Sequence, residues 1–377
     1  MNFSYTEEQE MLRDTLQRFI TRDYGFDKRQ ALLKSDIGFS RDHWRTFAEL
    51  GLLGISFPED YDGMGGNAID TMLVMNAIGE GLMLEPYLAS AVVATRTIAV
   101  LGNADQRASM LPALASGEAI AVLAHDEPST RFDWQAVTTT AIADSGGYVL
   151  TGHKSVIAHG ASADILLVTA RLDVSDGKDS LRVFAVPREA AGLRHVSYTT
   201  VDGIRASDIW LDQVSVGADA ILDGTVNTEA QLGDILDVGL AAICAEAVGA
   251  LDRLLARTVE YARTRKQFGV PIGKFQALQH RMADMVLHIE QARSMSYLAA
   301  VRCTDPDPVA RRRAMSAAKV VIGQACRFVG QQAVQLHGGM GVTDELDVSH
   351  YFKRLMAIEM QFGGTDHHLE IFAGQIS

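Results

Sequence analysis

The stretch "ARTRKQFGVPIGKFQALQHRMADM", from Ala262 to Met285, decides how the C-terminal half of this chain is read. It ends a long helix with Arg263, Arg265 and Lys266, where cations lie favourably against the negative end of the helix dipole. Phe268 and Gln276 follow closely. An arginine, an aromatic face and an amide in close succession also suit an anionic heterocyclic cofactor, so two readings stay open: a plain helix stop or a binding element.

Working outward, apolar residues on both sides recur at helical spacing. Cys244, Val248, Leu251, Leu255 and Val259 mark one stripe, and Leu278, Met282, Met285, Val286 and Ile289 mark another. Asp307-Pro308 starts a third helix, with aspartate as N-cap and proline at the first helical position. A fourth helix runs from Asp344 to Gln361. Four helices in succession predict an antiparallel four-helix bundle over 226–377.

Two glycine-rich stretches interrupt this region. "GGMGVTDE", Gly338–Glu345, lacks the third glycine of a dinucleotide fingerprint and follows a helix ending in Gln335-Leu336-His337 rather than a strand. It reads as a helix stop, or as a break whose backbone N–H groups receive a pyrophosphate. In "MQFGGTDHHLE", Met360–Glu370, a helix runs into Gly363-Gly364-Thr365 and restarts at Asp366.

Upstream the period changes. "YVLTGHK", "DILLVTAR", "SLRVFAV" and "SDIWLD" are short β-branched or aromatic runs, separated by turns such as Ser145-Gly146-Gly147 and Ser175-Asp176-Gly177. They predict a small antiparallel β-barrel or sandwich over 121–225. Residues 1–120 read as helical: Thr6 and Gln9 form a capping box, and Leu12, Leu16, Phe19 and Ile20 follow at helical spacing. The expected class is therefore α+β and multidomain: N-terminal helices, a central antiparallel β-barrel and a C-terminal bundle.

Composition narrows the function. The chain has 377 residues, 47% of them hydrophobic, and a net charge of −13. That balance supports a sizeable core and disfavours broad nucleic-acid binding, which needs a basic face. Cys244, Cys303 and Cys326 are far apart, with no CxxC, and read as reduced thiols. The start "MNFSYTEEQE" has no basic segment leading into an apolar run, and the apolar run near Leu236–Leu255 is interrupted by Asp237, Glu246, Asp252 and Arg253. A cytoplasmic protein with no membrane span is expected. The histidines show no metal-ligand spacing, and adjacent His367 and His368 project about 100° apart on a helix, so no metal is expected. No GxSxG elbow is present.

Five ordered stretches together resemble the acyl-CoA dehydrogenase family of flavoproteins over nearly the whole chain. They are "ELGLLGISFPEDYDGMGG", "MLPALASGEAIAVLAHDEPS", "YVLTGHKSVIAHGASADILLVTAR", "ARTRKQFGVPIGKFQALQHRMADM" and "QLHGGMGV". The resemblance implies bound FAD, an acyl-CoA substrate and an electron-transfer flavoprotein as acceptor. It also implies a homo- or heterotetramer, because cofactor contacts in this family are largely made to a neighbouring subunit's flavin. A carboxylate removes the proton α to the thioester while the β-hydride passes to the flavin.

The family's catalytic glutamate corresponds to Gly363, and the alternative base position on the first bundle helix falls at or near Gly239, beside Leu240 where an arginine is usual. Both are empty of a carboxylate. Val156-Ile157-Ala158 replaces a Trp-Ile-Thr run at the flavin ring, and Asp126 replaces a threonine. On the substrate side, Phe132 takes the place of a serine, and Asp237 is a further candidate. By contrast, Arg265, Phe268 and Gln276, together with Gln335, Gly338, Gly339 and Gly341, match the positions that hold the FAD adenosine diphosphate; Thr365 and His367 join the cofactor set. The resemblance thus implies a dehydrogenase subunit whose partner supplies the base. Two alternatives remain. One is a homomer with a relocated base, Glu246 or Asp366, each of which also has a structural reading: a polar residue at a helix seam, and an N-cap. The other is a non-redox CoA-binding or hydratase-like protein on the same fold.

Overall fold

The computed structural model describes residues 5–172, 180–224 and 227–375. The expected Ser175-Asp176-Gly177 turn lies outside the described residues. The chain divides into two compact units: Met1–Leu32, Ala68–Met83 and Leu240–Ser377 form one, and Leu33–Asn67 and Leu84–Gly239 the other.

The second unit is built on a seven-stranded sheet. Its strands are β1 (Ala121–Ala124), β2 (Thr140–Asp144), β3 (Gly147–Ala158), β4 (Ile165–Leu172), β5 (Ser180–Pro187), β6 (Leu193–Thr199) and β7 (Arg205–Gly217). The order is β1-β4-β2-β3-β7-β6, with β5 paired to β4. Four pairings are antiparallel, as expected, but β1–β4 and β2–β4 are parallel, so the sheet is mixed. The parallel start of β4 is fixed locally: the Asp164 carboxylate accepts from Ile120 N–H at 2.8 Å, and Asp164 N–H donates to Ile120 C=O at 2.7 Å. Residues of the inner strands, among them Leu150, Val168, Val183, Ile209 and Val214, are fully buried, and β4 is buried continuously from Leu166 to Ala170.

Helices cover part of this sheet unit. In α3 (Arg41–Glu49) Ser40 caps the first turn by accepting from His43 N–H, and Trp44 and Phe47 point inward. A π-helical stretch, Tyr87–Ala94, runs into α5 (Thr95–Leu101), and α6 (Ala104–Ala115) opens with an Asn103/Gln106 capping box. Leu232, on the first turns of α7 (Thr228–Thr264), packs with Val137 and Leu181.

The first unit is helical: α1 (Glu7–Asp23), α2 (Phe26–Leu33), α4 (Ala68–Gly81), α7 from Leu240 onward, α8 (Gln276–Arg302), α9 (Pro308–His337), α10 (Asp347–Met360) and α11 (Thr365–Gly374). The Thr6/Gln9 capping box and the Asp307-Pro308 start of α9 form as expected. Helices α4 and α7 cross at a reciprocal glycine contact: a Cβ on Gly79 would lie 1.9 Å from Glu246 C=O, and one on Gly249 would lie 1.9 Å from Asn76 C=O. No larger residue fits at either place without moving a helix.

The fold class holds; the helix expected to restart after the glycine pair is present, and the last region adds one feature to the reading, a small hairpin. Chain past Gly364 forms α11, and Lys266–Gln267 pairs with Val270–Pro271 as a small hairpin, β8 and β9. All three cysteines are free and buried. Among the described residues no helix is long and apolar enough to cross a membrane, and no group of three or more potential ligands could hold a metal.

Candidate active site

The chain leaves α10 at Met360 and turns through Phe362 (φ 57°) and Gly363 (φ 102°) into α11. Three carbonyls along this turn are bound by buried side chains. Lys319, only 1% exposed, donates to Glu359 C=O at 2.8 Å and Gly363 C=O at 2.7 Å. The buried His368 ring donates through Nε2 to Phe362 C=O at 2.8 Å. The Glu359 carboxylate accepts from Thr365 N–H, the Thr365 hydroxyl and Arg327. Burial alone would raise the Glu359 pKa, but these partners bring it below the usual carboxylate range. Burial pushes the Lys319 pKa down and takes that of His368 to about 3, so this imidazole is neutral.

The turn is also closed sterically. A Cβ on Gly363 would lie 2.6 Å from His367 Cδ2 and 2.8 Å from His368 Nε2. Helix α11 starts at Thr365 with Gly364 as N-cap, so Asp366 is not the cap expected from the sequence: it lies exposed within the first turn, where an acidic side chain complements the helix dipole.

The other carboxylate candidate is committed elsewhere. Both oxygens of the buried Glu246 accept from the Arg354 guanidinium of α10, at 2.6 and 2.8 Å. This is a bidentate pair at a helix seam. Asp237, Gly239 and Leu240, on the same helix, are buried.

At one end of the helical unit the structure gathers the residues expected at a dinucleotide. Tyr261, one turn before Arg265, stacks on His337 with ring centroids 4.3 Å apart, which joins the end of α7 to the end of α9. Between β8 and β9, Phe268 (φ 55°) and Gly269 (φ 80°) form a two-residue mirror-image turn. A left-handed aromatic residue is strained there, and Phe268 is 90% exposed. Arg265 and Gln276 are exposed beside it, and Arg265 forms no ion pair among the described residues. Across the end of α9, Gln335 is exposed, and added Cβ atoms on Gly338 and Gly339 would meet nothing within 4 Å. Gly341 is different: a Cβ there would lie 2.7 Å from Val334 C=O, so it serves close packing. A guanidinium outside any ion pair among the described residues, an exposed aromatic ring set edge-to-face against Phe275 with centroids 6.0 Å apart, and open glycine backbone fit a phosphate-bearing heteroaromatic cofactor.

In the sheet unit the expected flavin-ring position, Val156, sits in a bulge between β3 and β7. It has φ 56°, an outlier for a β-branched residue, and is 56% exposed. Its N–H donates to Asp208 Oδ1 at 3.0 Å, which also accepts from the Tyr198 hydroxyl at 2.8 Å. Asp126 and Phe132 are exposed on the segment after β1. Partial burial raises the Asp126 carboxyl above its ordinary range, opposed by the Lys154 charge.

Sequence reasoning missed what anchors that segment. The buried Glu127 accepts from the N–H and hydroxyl of both Thr138 and Thr139, closing the segment's two ends, and from Lys154 Nζ at 2.7 Å. Burial would raise its pKa, but the Lys154 charge and these donors bring it well down. The "GxK" element in "YVLTGHK" was the available signal: Lys154 alternates with outward residues yet is fully buried, and a buried ammonium demands a carboxylate.

The acyl-CoA dehydrogenase N-terminal, middle and C-terminal domain models match residues 6–118, 123–214 and 230–377. A probable acyl-CoA dehydrogenase of Bacillus subtilis, YngJ, is 31% identical over 382 residues that cover 100% of both chains. Among solved structures, the ChsE4-ChsE5 complex from Mycobacterium tuberculosis superposes with a TM-score of 0.88 at 27% identity, covering 100% of this chain and 99% of that one. An FAD-dependent dehydrogenase gives 0.88 at 27% identity, covering 100% of both. With three consecutive domain matches and full-length likeness, this chain belongs to the acyl-CoA dehydrogenase family, oxidoreductases acting on CH–CH bonds.

Proposed function

We propose that the chain is an FAD-binding subunit of an acyl-CoA dehydrogenase whose catalytic carboxylate comes from a homologous partner subunit. The observation that carries this is Gly363: the family's base position holds a glycine in left-handed backbone, with imidazoles where a side chain would begin. The partner reading draws support from the ChsE4-ChsE5 neighbour, itself a complex of two named proteins.

FAD, when bound, accepts the β-hydride of the acyl chain. Everything else is asked of protein groups. Arg265 would meet a diphosphate, Phe268 a heterocycle face, and the Gly338–Gly339 backbone would approach the phosphates closely. The α-proton has to go to a base, and a positioned carboxylate contributes about 10²–10⁴-fold. Glu246 is buried and held by Arg354 through both oxygens, so its charge is already neutralised at a helix seam. The electron pair then leaves for a soluble flavoprotein acceptor, and the chain's place is the cytoplasm.

Expression of the chain alone tests this. FAD content is measured, and acyl-CoA is added anaerobically. The reading predicts no bleaching of the flavin until a homologue bearing the glutamate is present; complete bleaching by the pure chain ends it. A homomeric reading would run through Asp366, the exposed carboxylate on the first turn of α11. Asp366→Ala separates the two: turnover of the assembled enzyme stays intact in the heteromeric case.

A further inference from the structure

One face of α9 supports the whole Phe362–Thr365 turn. Ser316, Lys319, Gly323 and Arg327 recur at spacings of three and four, which stacks them along one stripe. Ser316 Oγ lies 3.2 Å from His368 Nδ1, and since Nε2 of that ring donates to Phe362 C=O, the hydroxyl is the donor to Nδ1. Lys319 binds two carbonyls, at the end of α10 and at Gly363. Gly323 makes room: a Cβ there would lie 2.5 Å from the Thr365 hydroxyl. Arg327 donates to Glu359 Oε1 at 3.1 Å, and that oxygen also accepts from Thr365.

All of these contacts to the turn go to its backbone or to Thr365, and none needs a side chain at 363. The geometry of the turn is therefore set by α9. A lysine ammonium is an expensive group to bury, and Lys319 has no carboxylate partner within hydrogen-bonding distance among the described residues; its donors go to main-chain oxygens at the negative end of α10. Packing alone would be served better by methionine.

We propose that Lys319 is a positioning residue: it fixes the Gly363 peptide so that the turn still presents its backbone to an acyl-CoA thioester after the loss of the base. The inference rests on the reading of this turn as ligand-facing. The FAD-loaded chain, with Lys319→Met and Lys319→Arg variants, provides the test. Two readouts are needed: hydrogen exchange at the 363–365 amides, and the ratio of affinities for hexanoyl-CoA and the S-hexyl-CoA thioether, which lacks the carbonyl. In Lys319→Met, exchange at these amides should accelerate by tenfold or more while α9 is unchanged, and the preference for the thioester should fall about tenfold. Lys319→Arg, which keeps the charge but misplaces the donors, should lose preference with a smaller rise in exchange, and it stands in if Lys319→Met does not fold. If the unsubstituted chain binds thioester and thioether equally, the turn is not ligand-facing and both readings fall. If it prefers the thioester and both variants keep that preference and the parent exchange, the assignment to Lys319 alone is overturned.

Discussion

At Gly363 two independent constraints exclude any other residue. The φ of 102° is a region that L side chains rarely adopt, and a Cβ would press on His367 and His368. Gly363→Ala should therefore destabilise the chain by about 1–3 kcal/mol, read from a shift in urea midpoint at unchanged slope. Gly363→Glu should cost at least as much and should not install a working base, because the carboxylate would leave the turn on a displaced backbone; stopped-flow flavin reduction by acyl-CoA checks this. Glu246 tests the opposite idea. Arg354→Met leaves its carboxylate buried without a partner and should cost about 3–5 kcal/mol, whereas the double change Glu246→Gln with Arg354→Met should recover part of that. A base would behave differently, since Glu246→Gln alone would then abolish turnover of the assembled enzyme without this stability pattern.

Among the elements, the β8–β9 hairpin shows stability given up for binding. Phe268 occupies a left-handed turn position that asparagine tolerates far better. Phe268→Asn should raise stability by roughly 0.5–1 kcal/mol while lowering FAD retention on gel filtration. The same element shows what could be read from sequence. The helix ends around Thr264 and His337, the Asp307 cap and strands β3, β4, β5 and β7 were legible because periodicity and capping are local. Strand β1 is only four residues long and apolar throughout, β2 is mostly exposed, and β6 is an exposed edge strand, so none carries an alternating pattern. The parallel pairing of β1 with β4 depends on Asp164 meeting Ile120 across 44 positions, and nothing local encodes that. Lys319, which sets the backbone of the Phe362–Thr365 turn, was invisible for the same reason: its partners are assembled by the fold.

For the whole molecule, pH dependence follows from two buried neutral histidines, one in each unit. Burial takes the pKa of His125 and of His368 down to about 3, well below the ordinary imidazole range. The unfolded chain then binds protons that the folded chain refuses. Stability is complete above pH 6.5 and falls as pH drops from there toward 3, by about 1.4 kcal/mol per pH unit for each histidine once well below the unfolded value. Urea midpoints at pH 7.5 and 5.0 measure the slope, and His368→Gln should make it shallower.

The central claim concerns a proton. Acyl-CoA incubated in D₂O with the FAD-loaded chain alone reports directly on any base it holds, through α-deuterium incorporation followed by mass spectrometry. Incorporation is expected to be no faster than without protein and to rise only when a glutamate-bearing homologue is added. Rapid α-exchange by the pure chain, lost on Asp366→Ala or Glu246→Gln, would contradict it.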